Sequence, residues 1–289
     1  MTRDTPPVNI AHSVHDRLLV LAKKRGRPFN ELLQYYAMER FLYRLGKSPA
    51  NRHFLLKGAL LLTACAETSY RPTRDIDLLG QVENTEGKIL DLIRQVCRQG
   101  VPGDGMRFDS DSVITERIKE DADYAGVRAQ FIGYLGNARV TMQVDVGFGD
   151  VVTPAPQDIE YPVLLDQPVP RLRGYPLETA MAEKLQAMVY LGELNSRMKD
   201  FYDVWFLCQH VALAPEHLCA AIRATFAQRK TALTAEPICF TPAFAEAKQV
   251  QWRAFLRKLR MDDVPDNFGE IIREISSVLE PILLKARNP

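Results

Sequence analysis

Two aspartates separated by a single residue carry the clearest chemical signal in the sequence. Asp75 and Asp77 alternate with the apolar residues Ile76 and Leu78. Successive side chains of a β-strand point to opposite faces, so this stretch predicts a strand with both carboxylates on one face. Adjacent carboxylates repel each other unless a cation lies between them, and carboxylate oxygens suit Mg²⁺ or Mn²⁺. The spacing therefore indicates a metal site, although the same spacing also occurs at exposed strand ends.

A third acidic residue lies within a strand predicted further along the chain. Apolar residues of the segment 139–148 alternate with Thr141, Gln143 and Asp145, which share the other face. An aspartate in the middle of a strand is costly unless it is paired or binds a metal. Asp145 is therefore predicted to complete the metal site, with Asp150 as the second choice.

The residues around the first two aspartates form a unit that could hold a phosphate. A strand at 54–56 leads through Lys57 and Gly58 into a helix predicted at about 58–67. The first turn of a helix offers unpaired N–H groups and a positive dipole end to an anion, and glycine permits close approach of the backbone. Lys57 is either a phosphate contact or a strand-end charge. Thr73 either contacts metal or phosphate or closes the turn before the carboxylates.

Five segments follow one another in a characteristic order within about residues 30–210: FLLKGALLL, RPTRDIDLL, VTMQVDVGF, EKLQAMVYL and RMKDFYDVW. Together they resemble the nucleotidyltransferase toxins of the AbiEii/AbiGii type, which belong to the DNA polymerase β-like nucleotidyltransferase superfamily. The wider superfamily has Gly-Ser after its first strand, where this chain has Lys57-Gly58-Ala59. Many toxins of this type carry Lys-Gly there, so the departure favours the toxin branch.

The resemblance implies an α+β fold with the mixed β-sheet of nucleotidyltransferases, flanking helices and a helical C-terminal half. We predict N-terminal helices and the catalytic core in residues 1–160, and a mainly helical domain that completes the active-site cleft in residues 161–289. Residues 1–13 are predicted to form a flexible lead-in and residues 153–170 a Pro-rich linker. Hydrophobic periodicity predicts strands at 112–118, 127–135 and 139–148. It predicts helices at 14–24, 30–45, 84–98 and 177–191, a helix that begins at 197, and helices at 215–228, 242–260 and 267–285. In this interpretation Gly136-Asn137 is a hairpin turn, Gly46 caps the second helix and Pro281 interrupts the last one.

The resemblance also assigns roles to individual residues. The predicted catalytic residues are Asp75, Asp77, Asp145, Lys184 and Asp200, of which the metal ligands are Asp75, Asp77 and Asp145. The predicted nucleotide-binding residues are Lys57, Gly58, Thr73, Lys184 and Lys199. Lys184 is expected to face the triphosphate, and Lys199 and Asp200 to line the nucleotide side of the cleft. Asp203 is interpreted as structural.

The implied reaction is transfer of NMP from an NTP to an RNA acceptor, tRNA, which blocks translation. The implied cofactor is Mg²⁺ or Mn²⁺, and the implied partners are the NTP, the RNA and a cognate antitoxin of a toxin-antitoxin or phage-defence system. Two alternatives remain open at this point. One is a nucleotidyltransferase that modifies a small molecule or a protein, and the other is a catalytically inactive binding module with the same fold.

Composition narrows the possible partners and the cellular location. A net charge of +1 argues against a broadly basic nucleic-acid surface, whereas the local basic clusters at 23–27 and 253–260 fit either RNA contacts or solvated faces. Five scattered cysteines without a Cys-x-x-Cys pair predict reduced thiols in the core and no zinc site. The sequence shows neither an apolar signal core nor a run near the roughly 20 apolar residues of a membrane span, so we expect a cytoplasmic protein without a membrane partner.

Overall fold

A mixed β-sheet organises the first part of the chain in the computed structural model, which describes residues 9–65, 71–121, 124–259, 261 and 263–288. Within these residues the sheet has seven strands: β1 (Phe54–Lys57), β2 (Ile76–Gly80), β3 (Met106–Asp121), β4 (Tyr124–Leu135), β5 (Ala138–Phe148), β6 (Gln157–Glu160) and β7 (Arg171–Gly174). Their order is β3-β4-β5-β2-β1-β7-β6. The pairs β2–β5 and β1–β7 are parallel and the other neighbours are antiparallel.

The hairpin predicted at Gly136-Asn137 is confirmed and sets the register of two long strands. Leu135 pairs with Ala138 across the turn, and Gly136 has a φ of 57°, a left-handed conformation that glycine adopts without strain. The predicted strand at 112–118 is part of the longer β3, which begins at Met106. A bulge between Asp109 and Ile114 interrupts the pairing of β3 with β4.

The segment 153–170, interpreted as a linker, is in part a strand and in part fastened to a helix. β6 lies within it, and β7 follows directly. The N–H of Leu164 donates to Glu39 Oε2 at 2.6 Å, and Arg40 Nη2 donates to the carbonyl of Pro168 at 2.9 Å. The linker interpretation is therefore wrong. The sequence pattern for strands was weak in this segment, because β6 and β7 have four residues each and each buries a single apolar side chain next to the sheet edge.

Helices pack against the sheet through aromatic and aliphatic side chains. They are α1 (Ile10–Arg25), α2 (Phe29–Lys47), α3 (Gly58–Cys65) and α4 (Glu86–Arg98). Of these, α2 covers one face of β3, β4 and β5. Phe41 of α2 contacts Phe108 of β3 and Phe131 of β4, with ring centroids 5.6 and 5.1 Å away. Thr85 caps α4 by accepting a hydrogen bond from the N–H of Lys88. This face of β3, β4 and β5 is thereby the buried one.

Two local expectations for this region differ from the structure. α1 begins at Ile10, so residues 10–13 are helical and not part of a flexible lead-in. α2 continues through Gly46, which is not a cap; a Cβ there would collide with the carbonyl oxygen of Arg171. Residues 1–8 of the lead-in, residues 66–67 of the predicted third helix and Arg260 of the second basic cluster lie outside the described residues.

The C-terminal part is helical, as predicted. Its helices are α5 (Leu177–Leu191), α6 (Met198–His210), α7 (Pro215–Gln228), α8 (Pro242–Leu259) and α9 (Phe268–Arg287). The indole of the fully buried Trp252 stacks on Phe268 at 5.1 Å, and Phe201 meets Phe268 edge-on at 5.2 Å. Pro281 lies inside α9 and does not interrupt it, which corrects the expectation from sequence.

The chain divides into two compact units. The first comprises Met1–Cys65, Thr73–Gly149 and Gln157–Gly174, and the second comprises Ala66–Pro72, Asp150–Pro156 and Tyr175–Pro289. The domain division proposed between residues 160 and 161 stays a prediction. None of the helices in the described part of the chain combines the length and apolar character needed to cross a bilayer. The five cysteines carry free thiols, and burial raises the pKa of Cys97 and Cys239 to about 12.

Candidate active site

Parallel pairing of β2 with β5 brings the three predicted metal ligands together in the first unit. Asp77 lies directly opposite Asp145 in the register, and Asp75 immediately precedes β2. One oxygen from each of the three carboxylates lies within 4.8 Å of the other two. Asp145 is buried, whereas Asp75 and Asp77 are half-buried. A set of three hard oxygen ligands at this spacing fits Mg²⁺ or Mn²⁺.

Arg128 is a residue of this site that the sequence analysis did not identify. It stands on β4 directly opposite Asp145, and its Nε and Nη2 donate to the two carboxylate oxygens at 2.8 Å each. These hydrogen bonds raise the pKa of the Arg128 guanidinium, which keeps its charge. Asp145 is thus stabilised without a metal, so its burial alone is no sign of one. Asp145 Oδ2 also accepts a hydrogen bond from Gln143 Nε2 at 3.2 Å, whereas Oδ1 retains a second lone pair through which a metal is compatible with the pair.

The turn from β1 into α3 adjoins Asp77. Lys57 is buried and lies opposite Asp77 in the antiparallel register of β1 and β2. Gly58 has a φ of 69°, and a Cβ at this position would collide with the Asp77 carboxylate. Two independent constraints therefore require glycine at residue 58. α3 begins next to Asp77, which is a candidate metal ligand. The N-terminus of this helix is therefore suited to bind a metal-bound phosphate.

Thr73 orients one of the three carboxylates. Its hydroxyl donates a hydrogen bond to Asp75 Oδ1, and its N–H donates to the hydroxyl oxygen of Tyr35 at 3.0 Å. Tyr35 thereby anchors the backbone that precedes β2. The contact of Thr73 with a nucleotide stays a prediction. Asp150, the second choice for the third carboxylate, belongs to the second unit and pairs with Arg229 at 2.8 Å.

The second unit contains a chain of charged side chains around Lys184. Lys184 Nζ of α5 lies 2.5 Å from Asp203 Oδ2 and 3.2 Å from Asp200 Oδ1, both on α6. Arg71 forms a bidentate pair with Asp203, at 2.5 and 2.7 Å. Arg197 Nε lies 2.9 Å from Asp200 Oδ2. We call these three cations and two carboxylates the Lys184 cluster.

The buried charges of the Lys184 cluster hold one another in the ionised state. Burial would raise the pKa of Asp203, but Lys184 and Arg71 lower it to about 2. Burial opposes the charge of Lys184, yet Asp203 and Asp200 raise its pKa. Lys199, predicted to act beside Asp200, is exposed and takes no part in these ion pairs. Its role in nucleotide binding stays a prediction, as do those of Lys184 and Asp200.

Comparison with known proteins gives one family match and several structural neighbours. The family model described as "Nucleotidyl transferase AbiEii toxin, Type IV TA system" matches residues 40–274, which is most of the chain. The crystal structure of JHP933 from Helicobacter pylori is similar with a TM-score of 0.51 and 17% identity, over 89% of this chain and 93% of that one. A second solved structure, from H. pylori and assigned as a nucleotidyltransferase, is similar with a TM-score of 0.49 and 16% identity, over 89% of this chain and 96% of that one. No curated protein matches the chain.

Substitution of Gly58 tests the turn beside Asp77. We expect Gly58→Ala to lower the free energy of unfolding by about 1–3 kcal/mol, because alanine is strained at a positive φ and its Cβ displaces a carboxylate. Chemical denaturation measures the change. Gly87→Ala is the matched control, since a Cβ at residue 87 of α4 meets no atom within 4 Å. Equal unfolding midpoints for Gly58→Ala and the native protein would contradict the geometry described for this turn.

Substitution of Arg128 tests the charge pair at Asp145. We expect Arg128→Gln to cost about 1–3 kcal/mol of stability, because it leaves a buried carboxylate without its bidentate partner. Adding Mg²⁺ should stabilise the variant more than the native protein, because in the variant the ion replaces the positive charge that Arg128 supplied to Asp145. Denaturation with and without Mg²⁺ measures both effects, with Arg98→Gln of an exposed ion pair as control. A failure of Mg²⁺ to stabilise either protein would argue against the metal site.

Substitution of Asp203 tests the Lys184 cluster. We expect Asp203→Asn to destabilise the protein by about 3–5 kcal/mol, because it removes the buried carboxylate that pairs with both Lys184 and Arg71. The folded-state pKa of about 2 lies below the ordinary 3.8, so the native carboxylate stabilises the fold fully above about pH 4 and loses this effect toward pH 2. Unfolding free energies measured from pH 6 to pH 2 should therefore converge for the two proteins at low pH. A constant difference over this range would disprove the assignment.

Proposed function

The chain belongs to the AbiEii family of nucleotidyl transferase toxins of type IV toxin-antitoxin systems, and we propose that it transfers NMP from an NTP to tRNA. Modification of the tRNA would block translation. The observation that carries the proposal is the convergence of Asp75, Asp77 and Asp145, whose ligand oxygens lie within 4.8 Å of one another. A cognate antitoxin is the partner that this family implies, and phage defence is the biological setting we propose.

In this proposal Asp75, Asp77 and Asp145 hold the divalent ions. When bound, such ions activate an attacking hydroxyl and neutralise charge on the leaving group. The protein itself supplies the position of the ligands. Arg128 holds both oxygens of Asp145 in place, and Thr73 does the same for one oxygen of Asp75. The carboxylates therefore need little rearrangement to act as ligands.

The reaction forms a bond between an acceptor hydroxyl oxygen and the α-phosphorus while the bond to pyrophosphate breaks. Phosphoryl transfer depends mainly on positioning and on positive charge around the phosphates. The N-terminus of α3, with Lys57 and Gly58, is our candidate for one phosphate contact because it adjoins Asp77. We further propose Lys184 and Lys199 as nucleotide-binding residues and Asp200 as a catalytic residue. The contact of Lys184 with Asp200, at 3.2 Å, supports this part of the proposal.

Transfer of label to tRNA tests the function. Purified protein is incubated with total tRNA, Mg²⁺ and each α-³²P-labelled NTP in turn, beside the Asp75→Asn/Asp77→Asn double variant. We expect label on tRNA with the native protein and none with the variant, because the variant lacks two of the three carboxylates. The NTP that gives label identifies the preferred base. Omission of Mg²⁺, with EDTA added, should abolish the label as well.

Three outcomes would contradict this proposal. Label on a protein or a small molecule, with none on tRNA, would indicate the other class of acceptor. A complete absence of label and of NTP binding by calorimetry would indicate an inactive binding module. Equal labelling by the native protein and the double variant would show that the three carboxylates do not carry the reaction.

A further inference from the structure

The sheet face that carries Asp145 continues across β5, β4 and β3 and is exposed where it leaves the carboxylates. The register places successive rows of side chains on this face, opposite to the face that α2 covers. Arg128 and Asp145 form one row, Gln130 and Gln143 form the next, and Ile132 and Thr141 form the one after. The side chain of Thr141 is exposed, and the two glutamines hydrogen-bond each other at 3.3 Å. Apart from Ile132, the side chains of these rows are polar, and the rows form a path that starts at the active site.

The path ends in a row of two arginines and a tyrosine. Arg107 of β3 lies opposite Tyr134 of β4, which lies opposite Arg139 of β5. The Arg107 guanidinium stacks over the Tyr134 ring at 4.3 Å from its centroid. Arg139 and Asp145 both belong to β5, and a rise of about 3.3 Å per residue places this row about 20 Å from the carboxylates. We call these three residues the arginine–tyrosine row.

The arginines of this row are not held by carboxylates. Both are exposed, and within the described part of the chain neither forms an ion pair. The nearest acid on the face, Asp109, accepts a hydrogen bond from the N–H of Asp111 in its own bulge. Arginine remains charged at any physiological pH. Two uncompensated positive charges therefore flank an aromatic ring on a protein whose net charge is only +1.

This combination matches the chemistry of a single-stranded nucleic acid. Guanidinium groups bind backbone phosphates, and a tyrosine or an arginine plane stacks on an unpaired base. A duplex fits less well, because it presents no unstacked base to the ring. We propose that a single-stranded segment of the RNA acceptor lies along β5, with its reactive end at Asp145 and its backbone at the arginine–tyrosine row. This inference rests on the proposed function and adds the surface that binds the acceptor.

RNA binding by full-length variants tests the inference. The probe is a short fluorescein-labelled single-stranded RNA, followed by anisotropy over a range of salt concentrations without NTP. We expect Arg107→Gln/Arg139→Gln to weaken binding at least tenfold and to lower the slope of log K against log salt by about 1.4, since each lost phosphate contact contributes about 0.7. The KM for tRNA should rise while the affinity for NTP stays native. The same sequence as a blunt duplex should bind more weakly to the native protein.

Matched variants separate this surface from general charge effects. Lys23→Gln/Lys24→Gln removes the same charge from the end of α1 and should leave the salt slope unchanged. Tyr134→Ala should weaken binding about fivefold or more with the native slope, because a stacking contact involves no counter-ion, and Tyr134→Phe should restore binding. If the double arginine variant unfolds early, Arg139→Gln alone should lower the slope by about 0.7.

The outcomes distinguish this inference from the proposed function. If the double arginine variant binds RNA with native affinity and native slope while the native protein still labels tRNA, the inference is wrong and the proposed function stands. If the lysine variant changes the slope instead, the acceptor lies elsewhere. If the native protein neither binds nor labels RNA, both are wrong.

Discussion

The parallel pairing of β2 with β5 is the constraint on which the candidate active site depends. It sets Asp77 against Asp145 and leaves Asp75 at the start of β2, so three negative charges share a small volume. Such a group is unfavourable unless cations compensate it. The structure provides one such cation in Arg128, which binds both oxygens of Asp145. The buried Lys57 stands opposite Asp77. The site is thereby organised before any metal binds, and a bound ion would add to this compensation.

In the second unit the buried group that needs compensation is a cation, and its partners are carboxylates. Lys184 is a buried cation that Asp200 and Asp203 keep charged, and Arg71 shares Asp203 with it. Buried charges of this kind contribute little to stability in net terms, because the desolvation cost is large. They do fix the positions of the side chains, and phosphoryl transfer depends on position. The acidic residues of this motif, Asp200 and Asp203, are thus buried members of an ion-pair cluster and not solvated surface charges.

Family membership and geometry support different parts of the functional picture. The family match establishes a nucleotidyl transferase toxin of a toxin-antitoxin system, whereas the structural similarity to JHP933, at 17% identity, supports the fold alone. The convergence of three carboxylates supports transfer chemistry by this particular chain. The acceptor is argued from a different feature, two arginines that form no ion pair with any described residue and lie beside a tyrosine on the same sheet face. The near-zero net charge is consistent with a local binding surface and not with a broadly basic one.

The sequence by itself determined the α+β class, the helical C-terminal part and the alternation that puts Asp75 with Asp77 on one strand face. It also contained more than the sequence analysis extracted. Once Gly136-Asn137 is a hairpin turn, the antiparallel register follows residue by residue and places Arg128 opposite Asp145. Tertiary structure alone decided the parallel register of β2 with β5, because no turn connects these strands and no local pattern fixes their offset. It also decided the roles of β6 and β7, whose four residues are too short to show a period, and the meeting of Arg71 with Asp203. Local periodicity determines which face of an element is buried, whereas contacts between distant segments depend on how whole elements pack.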